Sequence, residues 1–136
     1  MSDQLGPYYS RLGPPRALRD VEHSLIAKLV RNTPHEREVL NELCDALVRD
    51  MPDGGMGSIN FQEKALGTRY SKQIAEGAFR DVDGMPVSVT LLIDDVGHLF
   101  ELDVFKADGS PLVRYPEPDD VEIIERHGQL GFPPSR

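Results

Sequence analysis

The spacing of the hydrophobic residues changes near Pro52, from a helical to an alternating pattern. Before this proline, apolar residues recur every three or four positions, which is typical of helices with one buried face. After it, apolar and polar residues alternate, as they do in strands with one buried face. The pattern therefore predicts an α+β domain in which two helices precede an antiparallel sheet.

The two predicted helices have apolar stripes and recognisable ends. The first begins near Arg19 or Asp20, and the second begins at the capping-box sequence Thr33-Pro34-His35-Glu36. Pro52 excludes helical geometry at Met51 and so ends the second helix. The stripe of the first helix is Val21, Leu25, Ile26, Leu29 and Val30, and that of the second is Val39, Leu40, Leu43, Leu47 and Val48.

The alternating half predicts an antiparallel meander of about four to five strands. Short turns rich in Asp and Gly separate the runs, and such turns favour hairpins. The predicted strands are Met56–Phe61, Ile74–Asp81, Pro86–Asp94, His98–Lys106 and Leu112–Tyr115. Two inward faces are predicted to be Val87, Val89, Leu91, Ile93 and Phe100, Leu102, Val104. We expect these to pack beneath the helices, leaving the opposite face, with Glu101 and Asp103, uncovered.

The length of 136 residues predicts one domain, spanning 17–126. Prolines and glycines predict an irregular arm over 1–16, and 127–136 are predicted to be a flexible tail. The single cysteine, Cys44, excludes an intrachain disulfide, and its place on the second helix indicates a small buried side chain. Because no apolar run approaches the roughly 20 residues that span a bilayer, and no signal segment is evident, we expect a cytoplasmic protein.

The acidic residues are concentrated in the C-terminal third. The chain has 23 acidic and 15 basic residues, for a net charge of −8. Asp94–Glu125 alone holds ten acids against Lys106 and Arg114. Such a field repels nucleic acid and attracts basic protein partners, although acids also serve simply to keep a surface soluble. No basic amphipathic helix that would bind a membrane is present.

The glycine-rich stretch Asp53-Gly54-Gly55-Met56-Gly57-Ser58 has two interpretations. A phosphate-binding loop follows a strand, precedes a helix and usually has a lysine at the helix start. Here a predicted helix comes before, alternating residues come after, and the first lysine after the stretch is Lys64. We therefore interpret Asp53, Gly54, Gly55 and Gly57 as a structural turn between the helical and the strand-forming halves.

The sequence predicts neither a catalytic site nor a cofactor. Glu101 and Asp103 are two positions apart, so they share a strand face and could act as an acid and a base, but such pairs more often solvate an exposed sheet. The four histidines are scattered, so no metal site is predicted. His98, near Asp94 and Asp95, is the best of these candidates, and a histidine at a hairpin end is its ordinary interpretation.

Two segments carry a family resemblance. DGGMGS at Asp53–Ser58 and LFELDVFKADGSPLVRYP at Leu99–Pro116 resemble a family of small bacterial proteins of unknown function, over roughly Leu18 to Pro116. The chain departs from the family pattern at Phe105, where tryptophan is common, and at Gly109, where an aromatic is common. Some members of such families look like immunity proteins of contact-dependent growth inhibition, and this resemblance implies a role in binding a toxin.

The resemblance and the charge together predict a binding protein that neutralises a cognate, basic bacterial toxin, with a nuclease as the expected toxin. The predicted electrostatic contacts are Asp94, Asp95, Glu101, Asp103, Asp119 and Asp120, and the predicted anchors are Phe105 and Tyr115. Two alternatives stay open. One is a small-ligand binder or hydrolytic enzyme using Glu101, Asp103 and His98. The other is a homodimeric interaction domain of unknown role, and the chain is expected to be a monomer or a weak homodimer.

Overall fold

The structure is a computed structural model that describes residues 11–61 and 71–125. These residues form two helices, α1 (Asp20–Val30) and α2 (Glu36–Leu43), and a seven-stranded antiparallel sheet. The strands are β1 (Arg16–Ala17), β2 (Leu47–Asp50), β3 (Ile59–Asn60), β4 (Ser71–Arg80), β5 (Pro86–Asp94), β6 (Leu99–Lys106) and β7 (Glu122–Ile123). Their order in the sheet is β1-β2-β3-β6-β5-β4-β7. The predicted α+β class is confirmed, and the sheet is larger than the four to five strands predicted.

The three long strands form the meander that the alternation predicted. β5 has the predicted bounds, and its inward side chains Val87, Val89, Leu91 and Ile93 are all buried. They pack in one core with Leu102 and Val104 of β6 and with the buried residues of both helices. Val21, predicted to belong to the stripe of α1, is 44% exposed. Phe100 is only half-buried, because a register shift between Leu92 and Ile93 leaves it out of the inward row of β6.

The second helix is shorter than predicted. It ends at Leu43, and Leu47 and Val48 belong to β2, which pairs with β1 and β3. Val48 is buried and Leu47 is 45% exposed, so the pair alternates as strand residues do. The spacing of these two residues fits both patterns, and pairing with neighbouring strands favours the strand. Cys44 follows the end of the helix and is exposed, so the prediction of a buried cysteine is wrong.

Two predicted strands differ in the structure. Met56–Phe61 reduces to Ile59–Asn60, and Leu112–Tyr115 is not a strand. The backbone N–H groups of Leu112 and Val113 bind Gly55 and Asp81 instead of a neighbouring strand. Besides β2, the pattern missed β1 and β7, which have two residues each and are too short to show alternation. The predicted tail 127–136 and most of the predicted arm lie outside the described residues.

A buried ion pair joins the β4–β5 turn to the end of β6. The side chain of Lys106 is fully buried, and its Nζ lies 2.8 Å from Asp81 Oδ2 and 2.7 Å from Asp83 Oδ2. Burial opposes ionisation of Asp81. The Lys106 ammonium and backbone N–H groups, among them those of Val113 and Arg114, outweigh burial and lower the pKa of Asp81 to about 2. The ion pair and the backbone hydrogen bonds of Asp81 therefore join three segments, which are the β4–β5 turn, the end of β6 and residues 113–114.

A second buried carboxylate fixes the start of α1. Glu22 is fully buried, and it accepts hydrogen bonds from the guanidinium groups of Arg16 and Arg19 and from the Arg19 backbone N–H. These hydrogen bonds outweigh burial and hold the pKa of Glu22 below its usual value. Arg16 also binds Asp50 at 2.7 Å, so the cluster connects β1, α1 and β2.

Gly77 of β4 allows α1 to approach the sheet closely. A Cβ at this position would lie 2.9 Å from Leu29 Cδ2, 3.0 Å from Val121 Cγ1 and 3.2 Å from the Glu122 carbonyl oxygen. The last of these atoms belongs to the backbone of β7 and cannot move aside without disturbing the sheet. Any larger residue therefore forces α1 away from β4.

We expect Gly77→Ala to lower the free energy of unfolding by about 1–3 kcal/mol, the usual cost of overpacking a core. Urea denaturation followed by circular dichroism measures this change. Gly13→Ala is the matched control, because a Cβ there meets nothing closer than 3.4 Å. Equal stability of Gly77→Ala and the wild type would contradict the close approach of α1.

We expect Asp81→Asn to lower the free energy of unfolding at pH 7 by about 3 kcal/mol, since it leaves a buried ammonium without its buried partner. The folded-state pKa of Asp81, about 2, lies below its ordinary value of 3.8. Its contribution is thus complete above pH 3.8 and is lost as the pH falls toward 2. Denaturation at several pH values should show this acid loss in the wild type and a smaller loss in the variant. An equal loss of stability in acid for the wild type and the variant would contradict this contribution of Asp81.

Candidate partner-binding surface

The sheet face that lies opposite the core is named here the outer face. Its residues follow from the strand register, which places directly opposed residues on the same side. One row is Gln73, Leu92, Glu101, Asn60 and Arg49, a second is Glu76, Thr90 and Asp103, and a third is Ala78, Ser88 and Phe105. The prediction that Glu101 and Asp103 project together from the side opposite the core is met in this arrangement.

Glu101 and Asp103 give the outer face two adjacent carboxyl groups, roughly 7 Å apart along β6. Asp103 is exposed, and its Oδ1 accepts a hydrogen bond of 3.4 Å from Ser58 Oγ. Glu101 is half-buried between Leu92 and Asn60. In the described part of the chain, no lysine or arginine forms an ion pair with either carboxyl group.

The pKa of Glu101 is raised to about 7, from an ordinary value of 4.5, first by burial and then by the negative charge of Asp103. Near neutral pH this side chain is therefore close to half-protonated. A cation that approaches this carboxyl group favours its ionised form and lowers its pKa. The outer face thus contains a group whose charge responds to what binds beside it.

Phe105 is the aromatic side chain of the outer face. It is 51% exposed and lies two residues from Asp103, directly opposite Ser88. An aromatic ring in this position offers apolar area that a partner can bury, next to carboxylates that attract basic groups. Of the predicted contact residues, the structure brings together Glu101, Asp103 and Phe105.

Asp94 and Asp95 lie in the β5–β6 turn, away from this group. The carboxylate of Asp94 is buried, and its Oδ1 accepts hydrogen bonds from the backbone N–H groups of Val96 and His98. Because Asp94 shapes the turn, its side chain is not on the surface where the prediction placed a partner contact. Asp95 is exposed at the turn.

Tyr115, Asp119 and Asp120 lie in the segment that follows β6. The Tyr115 hydroxyl donates to the Gly57 carbonyl oxygen at 3.0 Å, and Arg19 lies over the ring. Burial, followed by the negative charge of Glu22, raises the pKa of Tyr115. The ring is thus packed against the glycine stretch rather than placed beside Phe105. Asp119 and Asp120 are exposed in a short 3-10 helix, Pro118–Asp120.

The glycine stretch folds around the carboxylate of Asp53. Gly54, Gly55 and Gly57 have positive φ, and Asp53 accepts hydrogen bonds from the backbone N–H groups of Gly55, Met56 and Ser58. In a phosphate-binding loop such N–H groups point at the ligand. Here an internal carboxylate already occupies them.

His98 does not join Glu101 and Asp103. Its Nδ1 lies 4.0 Å from Glu42 Oε2, and Glu42 also accepts a hydrogen bond from the Leu99 backbone. Both contacts direct the start of β6 toward α2. Within 11–61 and 71–125, no group of three His, Cys, Asp or Glu side chains is placed to hold a metal ion. Neither described helix is long and apolar enough to cross a bilayer.

Asn60 is a residue of the outer face that the sequence interpretation missed. It is 98% buried, directly opposite Glu101, and its Oδ1 has no hydrogen-bond partner among the residues that the structure describes. Leaving such a group unsatisfied costs about 1–3 kcal/mol. The available signal was its position in the predicted strand Met56–Phe61, where a polar residue separates two apolar ones.

The fold and the surface define a single-sheet α+β domain whose helices cover one face, while the opposite face carries carboxyl groups and an exposed aromatic ring. Within that class, the chain belongs to the family described as a domain of unknown function, DUF6984, whose family model matches residues 15–116. Both motif segments lie in this range, so the predicted membership of a family without known function is confirmed. The curated proteins and the solved structures contain no match to the chain.

We expect Glu101→Gln to stabilise the protein at pH 8 by about 1–2 kcal/mol, after allowance for the solvent-exposed part of the side chain. The folded pKa, about 7, lies above the ordinary 4.5, so the wild type loses stability as the pH rises through this window. The variant has no proton to lose there. At pH 4 the two proteins should be equally stable.

Urea denaturation between pH 4 and 8 measures this difference. Glu117→Gln, at an exposed acid outside the outer face, is the control and should follow the wild type. A constant difference between Glu101→Gln and the wild type across this range would show that Glu101 is an ordinary surface carboxylate.

Proposed function

We propose that this protein is a cytoplasmic immunity protein, which binds a basic bacterial toxin domain through its outer face and blocks its activity. The observation that carries the proposal is the grouping of Glu101, Asp103 and Phe105 on the face opposite the core. Two carboxyl groups without a basic partner in the described residues, next to an exposed aromatic ring, have the composition of an interface for a cationic surface. The resemblance of the motifs to families that contain immunity proteins supports the same function.

We favour the outer face as the binding surface because its carboxyl groups differ in their partners from the carboxylates inside the fold. Glu22, Asp53, Asp81 and Asp94 are committed to backbone or arginine and lysine groups inside the fold. Glu101 and Asp103 have no such basic partner in the described residues, so their charge is available to another molecule. Complementary charge speeds the encounter with a basic toxin, and burial of Phe105 would slow its dissociation.

A second candidate function is proton-transfer catalysis by Glu101. The supporting observation is its pKa of about 7, which suits a general acid or base at neutral pH. The third group of that hypothesis, His98, is paired with Glu42 instead. The immunity function accounts for both acids and for Phe105, and we favour it.

We expect the double variant Glu101→Lys/Asp103→Lys to bind a toxin at least about tenfold more weakly, because repulsion replaces attraction at the interface. The partner to use is the C-terminal domain of a secreted effector encoded next to this protein. Affinity is measured by calorimetry, and protection is measured by growth of cells that express the effector domain.

Asp45→Lys/Glu117→Lys is the matched control, since it makes the same change in net charge at two exposed acids outside the outer face. Asp119→Lys/Asp120→Lys tests the other predicted acidic segment. Loss of binding in the latter variant alone would move the interface to the 3-10 helix. Full protection by Glu101→Lys/Asp103→Lys would overturn the proposed surface.

A further inference from the structure

Asn60 is the residue of the outer face whose environment is not explained by folding. The residue is 98% buried, and its side-chain carbonyl oxygen, Oδ1, accepts no hydrogen bond from residues 11–61 or 71–125. Buried polar groups in folded proteins are nearly always paired, so an unpaired one indicates a role outside the fold. An apolar residue at this position would fill the space without the unmet acceptor.

The neighbours of Asn60 are also acceptors or are already paired. On one side it lies directly opposite Glu101, and on the other it lies opposite Arg49. Arg49 donates to the Gly13 carbonyl oxygen at 3.2 Å, and it forms no described hydrogen bond with Asn60. Asp103 projects from the same face two positions beyond Glu101. The group Asn60, Glu101 and Asp103 therefore presents oxygen atoms from two adjacent strands.

We propose that Asn60, Glu101 and Asp103 form a binding site for one arginine side chain of the partner protein. A guanidinium group is planar and has five N–H donors, so it can bind a carboxylate through two parallel hydrogen bonds and still donate to an amide oxygen. An ammonium group is a point charge and does not match acceptors spread over two strands as well.

This inference rests on the proposed function, because it assumes a basic protein partner, and it adds the chemistry of the central contact. Burial of a cation beside Glu101 favours its ionised form, so binding should release a proton and strengthen between pH 6 and 8. The charged groups that share the outer face with Glu101 are Asp103 on β6, Arg49 on β2, Glu76 and Arg80 on β4, and Glu122 on β7. The opposed residues of β5, Leu92 and Thr90, are uncharged.

The test is an NMR titration of the full chain with the peptide acetyl-Gly-Arg-Gly-amide. Two further peptides replace arginine by lysine and by citrulline, which has the shape of arginine without its charge. We expect saturable shifts of the Asn60 side-chain amide and of the Glu101 and Asp103 backbone amides with the arginine peptide. The lysine peptide should bind more weakly, and the citrulline peptide should leave these signals unchanged.

Asn60→Leu should weaken binding of the arginine peptide about tenfold, the usual effect of losing a hydrogen bond to a charged group. Its folding stability should equal or exceed that of the wild type, because the unmet acceptor is gone. Ser88→Ala, at an exposed polar position of the same face, is the control and should bind as the wild type does. In Glu101→Gln the increase in affinity between pH 6 and 8 should disappear.

Equal shifts with citrulline, equal binding of lysine, or an unchanged affinity in Asn60→Leu would each overturn the arginine site. If Asn60→Leu does not fold, the same peptides titrated into Asp103→Asn must show the loss of affinity for the inference to stand. The failure of the arginine site is distinguishable from failure of the proposed function. If only the arginine site is wrong, Glu101→Lys/Asp103→Lys still weakens toxin binding although the arginine peptide does not bind. If the proposed function is wrong, this charge reversal has no effect on toxin binding.

Discussion

The buried ammonium of Lys106 is the constraint on which the arrangement of the sheet depends. It lies on the inward side of β6 and is held by Asp81 and Asp83 from the turn between β4 and β5. Side chains alternate along a strand, so this placement directs Leu102 and Val104 into the core and Glu101, Asp103 and Phe105 outward. A slip of one residue would bury the carboxylates and expose the apolar row. The ion pair thus fixes the register that creates the outer face.

The acidic residues of this protein serve two different purposes. Glu22 and Asp81 are bound by arginine or lysine and by backbone N–H groups, so they connect separate segments, whereas Asp53 and Asp94 accept hydrogen bonds from backbone N–H groups of their own turns. Glu101 and Asp103 have no basic partner in the described ranges. Of the ten acids in the C-terminal third, Asp94 is thereby removed from the surface available for recognition.

Two groups that oppose folding lie side by side on the outer face. Asn60 leaves a buried acceptor unpaired, and Glu101 is costly to ionise, with a pKa of about 7. In the rest of the described chain, one further buried polar atom, Asp94 Oδ2, has no hydrogen-bond partner. Two adjacent groups that are costly to folding are typical of binding sites, where the missing partners come from the ligand.

The sequence by itself determined α1, the three long strands and, apart from Phe100, the buried sides of β5 and β6, because these depend on the periodicity of residues close together in the chain. It also indicated that Glu101 and Asp103 would share a face. Tertiary structure decided that Leu47 and Val48 form a strand, since their spacing suits a helix equally well and only pairing with β1 and β3 distinguishes the two. It decided that Asp94 is buried in a turn and that Tyr115 packs on Gly57. The position of Asn60 beside Glu101 depends on the pairing of β3 with β6, which joins residues 41 positions apart. The spacing of residues close together in the chain does not predict such a pairing.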